Sequence, residues 1–86
     1  MIIILHRNFE KQYKKLRPRE KKKFKERRNL FLEDSFHPLL NNHPLKGKFA
    51  DYRSFNIGGD LRVIFKHLDE HTVVFVAVGP HTKLYG

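Results

Sequence analysis

Cysteine is absent from these 86 residues, which removes both a disulfide framework and a thiolate zinc site and fits a reducing compartment. Long apolar runs are missing as well. Ile2-Ile3-Ile4-Leu5 is only four residues, against the roughly 18 that a membrane span needs. The basic residues follow this run rather than precede it, the reverse of a targeting segment. Acid is scarce: 9 Asp and Glu stand against 18 Lys and Arg, for a formal net charge of +9. What these absences leave is the expectation of one soluble, cytoplasmic domain spanning 1–86, with no membrane partner. Its core should be thin, because a chain this small buries only about 60–65% of its unfolded surface.

What is present is charge of one sign, unevenly placed. Residues 1–34 hold 12 basic and 5 acidic groups, whereas residues 35–86 hold 6 and 4. A cationic surface concentrated on one segment attracts phosphate backbones and speeds encounter with them. The plainer reading is a solvated helix face.

Apolar residues then place the elements. Met1–Leu5 reads as a short strand buried on both faces. Asn8 suits the cap of a following helix, in which Phe9, Tyr13 and Leu16 fall on one stripe. Arg17-Pro18 interrupts that helix, and Pro18 suits the first turn of a second. The second helix runs from about Pro18 to Glu33, with Phe24 and Phe31 one heptad apart and Lys21, Lys22, Lys23, Lys25, Arg27 and Arg28 around them. Ser35–Gly47 is rich in breakers and reads as a connector carrying His37 and His43.

Beyond it the period falls to two. In Asp51–Ile57, Arg53, Phe55 and Ile57 share one side. Gly58-Gly59 makes a hairpin turn. Leu61, Val63 and Phe65 then share one face, and Arg62, Ile64 and Lys66 the other. Asp69-Glu70 makes a second turn, and Val73–Val78, the most β-prone run, belongs in the middle of a sheet. His81–Gly86 reads as a short tail. The order β-α-α-β-β-β predicts an α+β fold, a basic helical hairpin packed on a mostly antiparallel four-stranded sheet. Periodicity does not give the strand order.

From His43 onward the chain reads HPLKGKFADYRSFNIGGDLRVIFK, followed by VVFVAVGPHTKLYG. It contains a His-Pro-Leu-x-Gly opening, a Tyr-Arg strand, an Asp after the hairpin turn, and a Gly-x-His-x-x-Leu-aromatic-Gly ending. In that order over 44 residues, these elements resemble the RelE/ParE superfamily of toxins, particularly its YafQ and RelE/StbE branches. Residues 1–42 match only in architecture. The resemblance implies a RelE-like fold and the toxin of a type II toxin–antitoxin system. It implies an endoribonuclease that enters the ribosomal A site, cuts messenger RNA without a metal or other cofactor, and is held inactive by an acidic antitoxin.

Metal-free cleavage asks for a base on the 2′-hydroxyl, an acid for the leaving 5′-oxygen, and cations for the charge building on phosphate. Histidine suits the first two roles. By the match, His81 is the leading acid–base candidate, and His43 is an acid, a base or a phosphate binder. Asp60 orients a histidine or joins in proton transfer. Arg62 stands where RelE-type members place a phosphate-stabilising arginine, and Arg53 is a second guanidinium. Tyr85 stacks on a base or bonds the phosphate, and Lys83 is a phosphate contact. Lys21, Lys22, Lys25 and Arg28 contact ribosomal RNA.

Each candidate has a plainer role: a turn histidine at His81, an exposed loop residue at His43, turn chemistry at Asp60. Arg53 shares parity with Phe55 and Ile57 and is then a packed stem, and Tyr85 a docked aromatic. The chain departs from the YafQ-type pattern at Asn56, where that pattern has a histidine, and at Leu61, where it has a tryptophan. Asn56 can hydrogen-bond substrate but cannot serve as a base. His67 and His71 have metal-like spacing but flank a turn with no convergent acids, so no metal site is expected.

Three functions compete: the ribosome-dependent ribonuclease, a ParE-like toxin acting on DNA gyrase without nuclease chemistry, and a basic RNA-binding or degenerate toxin module. The joint presence of His43, Asp60 and His81 favours the first. Asn56 and Leu61 keep the third open.

Overall fold

The structure, a computed structural model, describes residues 1–85, with Tyr85 described by its backbone alone. Its elements are β1 (Ile2–Leu5), α1 (Arg7–Lys14), α2 (Pro18–Glu33), β2 (His43–Pro44), β3 (Arg53–Gly58), β4 (Leu61–Asp69), β5 (Thr72–Pro80) and α3 (His81–Tyr85). Short 3-10 turns lie at Pro38–Leu40 and Gly47–Phe49. The sheet runs β1-β5-β4-β3-β2, with β1 parallel to β5 and every other pair antiparallel. It therefore has five strands, not four. The addition is β2, two residues pairing His43 with Ser54 and Pro44 with Arg53, too short to leave a period-two signature.

Phenylalanine builds the core. Both helices lie on one face of the sheet and close over Phe55, Ile57, Val63, Phe65, Val73, Phe75 and Val78 with Phe9, Phe24, Phe31 and Leu40. Phe75, on β5, an interior strand between β1 and β4, meets Phe9 at 5.7 Å, Phe31 at 5.8 Å and Phe55 at 5.5 Å between ring centroids. Phe31 also stacks on Phe55 at 5.0 Å and meets Phe65 edge-on at 5.1 Å. These tilted and edge-on geometries match the aromatic quadrupole. The stripe of Phe9, Tyr13 and Leu16 faces this cluster as its spacing predicts.

α2 starts where Pro18 places it. The Glu20 carboxylate accepts the Arg17 N–H at 2.7 Å, and proline fixes the first turn at no hydrogen-bond cost. α1 starts differently from the sequence expectation. His6, not Asn8, caps it, its Nδ1 accepting the Asn8 N–H at 3.0 Å. Asn8 has other work. β1 ends at Leu5, opposite Phe75, so the edge of β5 beyond that point has no strand beside it. Buried backbone groups must find partners, and α1 supplies them. Asn8 Nδ2 donates to the Val76 carbonyl at 2.9 Å, and Gln12 Oε1 accepts the Val78 N–H at 2.8 Å.

Two further expectations are corrected. β1 is an edge strand rather than one buried on both faces: Ile2 is 61% and Ile4 44% exposed, while Ile3 packs on the core. Helices cover the other side of the sheet. The strand read as Asp51–Ile57 begins at Arg53, and the expected tail from His81 is helical as far as Tyr85. The hairpin turn is as expected, with Gly58 and Gly59 at φ +125° and +53°, values that favour glycine.

The cross-strand register, which shifts by one residue at Val76, leaves Ser54, Asn56, Arg62, Ile64, Ala77 and Gly79 on the face away from the helices, hereafter the outer face. The segment around Phe49 and Tyr52 and the start of α3 fold over part of it, which buries Ile64 and Ala77. No helix among the described residues is long and apolar enough to cross a membrane.

Two substitutions test this account. Phe31→Ala should lower stability by about 3–5 kcal/mol, the usual cost of an emptied aromatic site. Gln12→Ala should cost about 1–3 kcal/mol through the unpaired Val78 N–H. Urea unfolding followed by circular dichroism measures both.

Candidate active site

The two leading histidines arrive from opposite ends of the sheet's register. His43 sits on β2 beside Ser54, in a cross-strand row that continues through Ile64 to Ala77. Its Nδ1 lies 2.7 Å from the Asn41 carbonyl. A carbonyl only accepts, so Nδ1 carries the proton and Nε2 of the neutral ring keeps its lone pair. Asn41 is in the left-handed region at φ 47° and so turns this carbonyl toward the ring. His81 opens α3 directly after Pro80, and its backbone N–H donates to the Asp60 carbonyl at 3.0 Å. Although 38 positions apart in sequence, His43 and His81 line one cleft of about 180 Å³ with Leu45, Lys46 and Phe49. Among the described residues no carboxylate lines it.

Arg62 occupies the next row of the same face, between Asn56 on β3 and Gly79 on β5. Its Nη1 donates to Asn56 Oδ1 at 2.9 Å and to the Gly59 and Leu61 carbonyls at 3.1 Å each. Asn56 Oδ1 also accepts the Gly58 N–H at 3.0 Å. Asn56 thus holds the guanidinium and the turn together. Gly79 opposite Arg62 presents no side chain, and Leu84 of α3 packs against it.

The other candidates fall elsewhere. Asp60 is joined to His81 through its backbone, but it lines a different cleft, between the hairpin turn and Lys22 and Lys23 of α2. Arg53 is corrected as a substrate contact. It lies on the helix side of the sheet, where Nε donates to Asn42 Oδ1 at 2.8 Å and the guanidinium covers the Phe36 ring at 5.3 Å. Parity with Phe55 and Ile57 dictates that placement, and Arg53 fastens the connector. Leu61 is half-buried beside the core.

Lys83 is exposed on α3, next to the outer face. The side chain of Tyr85 lies outside the described residues, as does Gly86. On α2, Lys22 and Lys25 are exposed, whereas Lys21 lies over Tyr13 at 5.5 Å and Arg28 over Phe24 at 5.9 Å. His67 and His71 are both exposed, and among the described residues no three His, Asp or Glu side chains converge as metal ligands would.

Sequence reasoning passed over two residues here. Ser54 is fully buried, and its Oγ has no hydrogen-bond partner among the described residues. Phe49 walls the histidine cleft from a loop with no periodicity to betray it.

Comparison with known proteins fits this geometry. The family model of YafQ, bacterial toxin of type II toxin–antitoxin system, matches residues 1–86. The crystal structure of YafQ from E. coli strain BL21(DE3) is similar at TM-score 0.83 and 24% identity, covering 98% of this chain and 97% of that one. The E. coli DinJ–YafQ complex gives TM-score 0.80 at 25% identity, with 98% and 97% covered. A YoeB/ParE toxin from Agrobacterium tumefaciens gives 0.78 at 19%, with 94% and 99% covered. No curated protein sequence matches the chain. The family match runs through the N-terminal half, where sequence motifs reached only the architecture, and the chain belongs to the YafQ family of bacterial toxins of type II toxin–antitoxin systems.

Proposed function

We propose that this toxin is a cytoplasmic, ribosome-dependent, metal-independent endoribonuclease that cuts messenger RNA between His43 and His81. The observation that carries the reading is the shared cleft of these two histidines, on a stretch of the outer face with no carboxylate among the described residues. His43, protonated at Nδ1 through Asn41, offers Nε2 as the base. It takes the 2′-hydroxyl proton, the 2′-oxygen attacks phosphorus, and a 2′,3′-cyclic phosphate forms as the bond to the 5′-oxygen breaks. His81 gives its proton to that oxygen. Arg62, with Nη1 anchored on Asn56, turns its remaining N–H groups to the phosphate. Asp60 acts as a positioning residue, since its carbonyl holds the backbone of His81. Lys83 and Tyr85 contact neighbouring nucleotides.

The partners follow from charge. Lys22 and Lys25, with the cations around them, present the helical side to ribosomal RNA phosphates. A chain of net charge +9 suits an acidic antitoxin that folds on binding, and the E. coli protein of the same family is known in a complex with DinJ.

Primer extension on translated messages after induction tests the reading. Wild type should produce codon-phased ends and arrest growth. His81→Ala should lose about 10²–10⁴-fold in cleavage, the usual worth of a positioned acid or base, with its circular dichroism unchanged. Arg62→Ala should lose about 10²–10³-fold, and Asn56→Ala, which frees rather than removes the guanidinium, should lose less. A fully toxic His81→Ala, or DNA damage with intact messages, would sink the nuclease reading and favour the gyrase one.

The helical side has its own test. Replacing Lys22 and Lys25 together by Ala should weaken ribosome binding and flatten its salt dependence, by about 0.7–0.9 in log–log slope for each phosphate that is no longer neutralised.

A further inference from the structure

Beside the histidine cleft lies a larger pocket, about 660 Å³, that shares Phe49 with it. Its floor is apolar, formed by Ile64, Val76 and Ala77 of the outer face, and Phe49 and Tyr52 wall it. The two rings meet edge-on with centroids 6.4 Å apart. Each carries a cation: Lys48 Nζ lies 5.3 Å from the Phe49 centroid and Lys66 Nζ 5.5 Å from that of Tyr52. Lys83 stands at the pocket as well, and among the described residues no carboxylate lines it.

His6, Leu84 and two amides from α1 line it as well. Asn8 Nδ2 and Gln12 Oε1 are taken by the β5 backbone. Asn8 Oδ1 and Gln12 Nε2, an acceptor and a donor, have no bond within the fold among the described residues.

A flat apolar group with polar edges and an attached anion satisfies all of these features together. Aromatic walls stack on a π-face. Lysines beside the rings attract phosphate without fixing its geometry. A free acceptor and donor read hydrogen-bonding edges. The volume suits a small-molecule-sized group. The adjoining histidine cleft, at about 180 Å³, has room for a phosphate but not for a base beside it.

We infer that this pocket holds the nucleobase next to the scissile phosphate and sets the base preference of the toxin. Phe49 and Tyr52 stack on the base, Lys48 and Lys83 contact its phosphates, and Asn8 and Gln12 read its edge. The inference deepens the nuclease reading and rests on it for the word scissile, but the binding itself requires no cleavage.

Short 2′-O-methyl oligoribonucleotides, which cannot be cut by 2′-attack, separate the two claims. Fluorescence anisotropy would compare the four bases and an abasic site at one central position. Wild type should discriminate among the bases and lose about 5- to 150-fold in affinity at the abasic site, the fold-change that one stacked base is worth. Phe49→Leu and Tyr52→Leu should show the same loss on the intact strand and no further loss on the abasic one. Lys83→Ala, an exposed change that leaves the core alone, should weaken all four strands equally.

If these binding results hold while wild type cuts no message, the nuclease reading fails and the base pocket stands. Affinity indifferent to the abasic site, or no RNA binding at all, overturns the pocket. Capture of an acidic peptide in its place, abolished in Phe49→Leu, overturns it in favour of a protein-docking site.

Discussion

Phe75 on β5 decides which side of this sheet is inside. Rings from both helices and from β3 and β4 converge on it, and that packing commits one parity of β3 and β4 to the core, with β5 changing parity at the bulge at Val76. The polar residues of β3 and β4 are then sorted by counting in twos. Asn56 and Arg62 fall outward because Phe55, Ile57 and Val63 fall inward. A slip of one residue in the β3–β4 register would exchange the two sets and bury a guanidinium at a cost of several kcal/mol. The aromatic cluster and the polar face are thus one constraint seen from two sides.

The same sorting explains what could be read in the sequence. α2 was legible because Pro18 starts it and Phe24 and Phe31 repeat at a heptad. The β3–β4 hairpin was legible because Gly58-Gly59 sits between two alternating runs. Arg53 carried its own correction: parity with Phe55 already placed it on the helix side, while family likeness pulled toward substrate. What was not legible is non-local. The sequence of β1 is apolar throughout, yet an edge position exposes Ile2 and Ile4. The role of Asn8 depends on where β1 stops against β5. Phe49 reaches the cleft from a loop whose path is set by β2, a strand of two residues.

Of the candidate site, the sequence named His43, His81, Arg62 and Asn56 by family likeness; the register sets Asn56 and Arg62 in one row of the outer face, and His43 and His81 line one cleft. It did not foresee that Asp60 would reach His81 through a carbonyl while its side chain lines another cleft. In an antiparallel pair the backbone of a turn is fixed by its ladder, whereas a turn side chain is free to point away. A motif match transfers the first more safely than the second.

The arrangement has two cationic sides. Lys22 and Lys25 lie on the helical layer, and Lys46, Lys48 and Lys83 border the clefts of the outer face, in a molecule only 25–32 Å across. Opposed positive faces repel each other in the free protein and are relieved when anions meet both. On the nuclease reading, ribosomal RNA meets one side and the message the other. The departure at Asn56 then has a consequence for the chemistry between them. Where the YafQ-type pattern supplies a third imidazole, this chain supplies an amide whose oxygen holds Arg62 and the Gly58 turn. An amide cannot shuttle a proton near neutral pH, so on the nuclease reading the acid–base work contracts to His43 and His81. The position of the missing histidine is used instead to hold the guanidinium of Arg62 on the outer face.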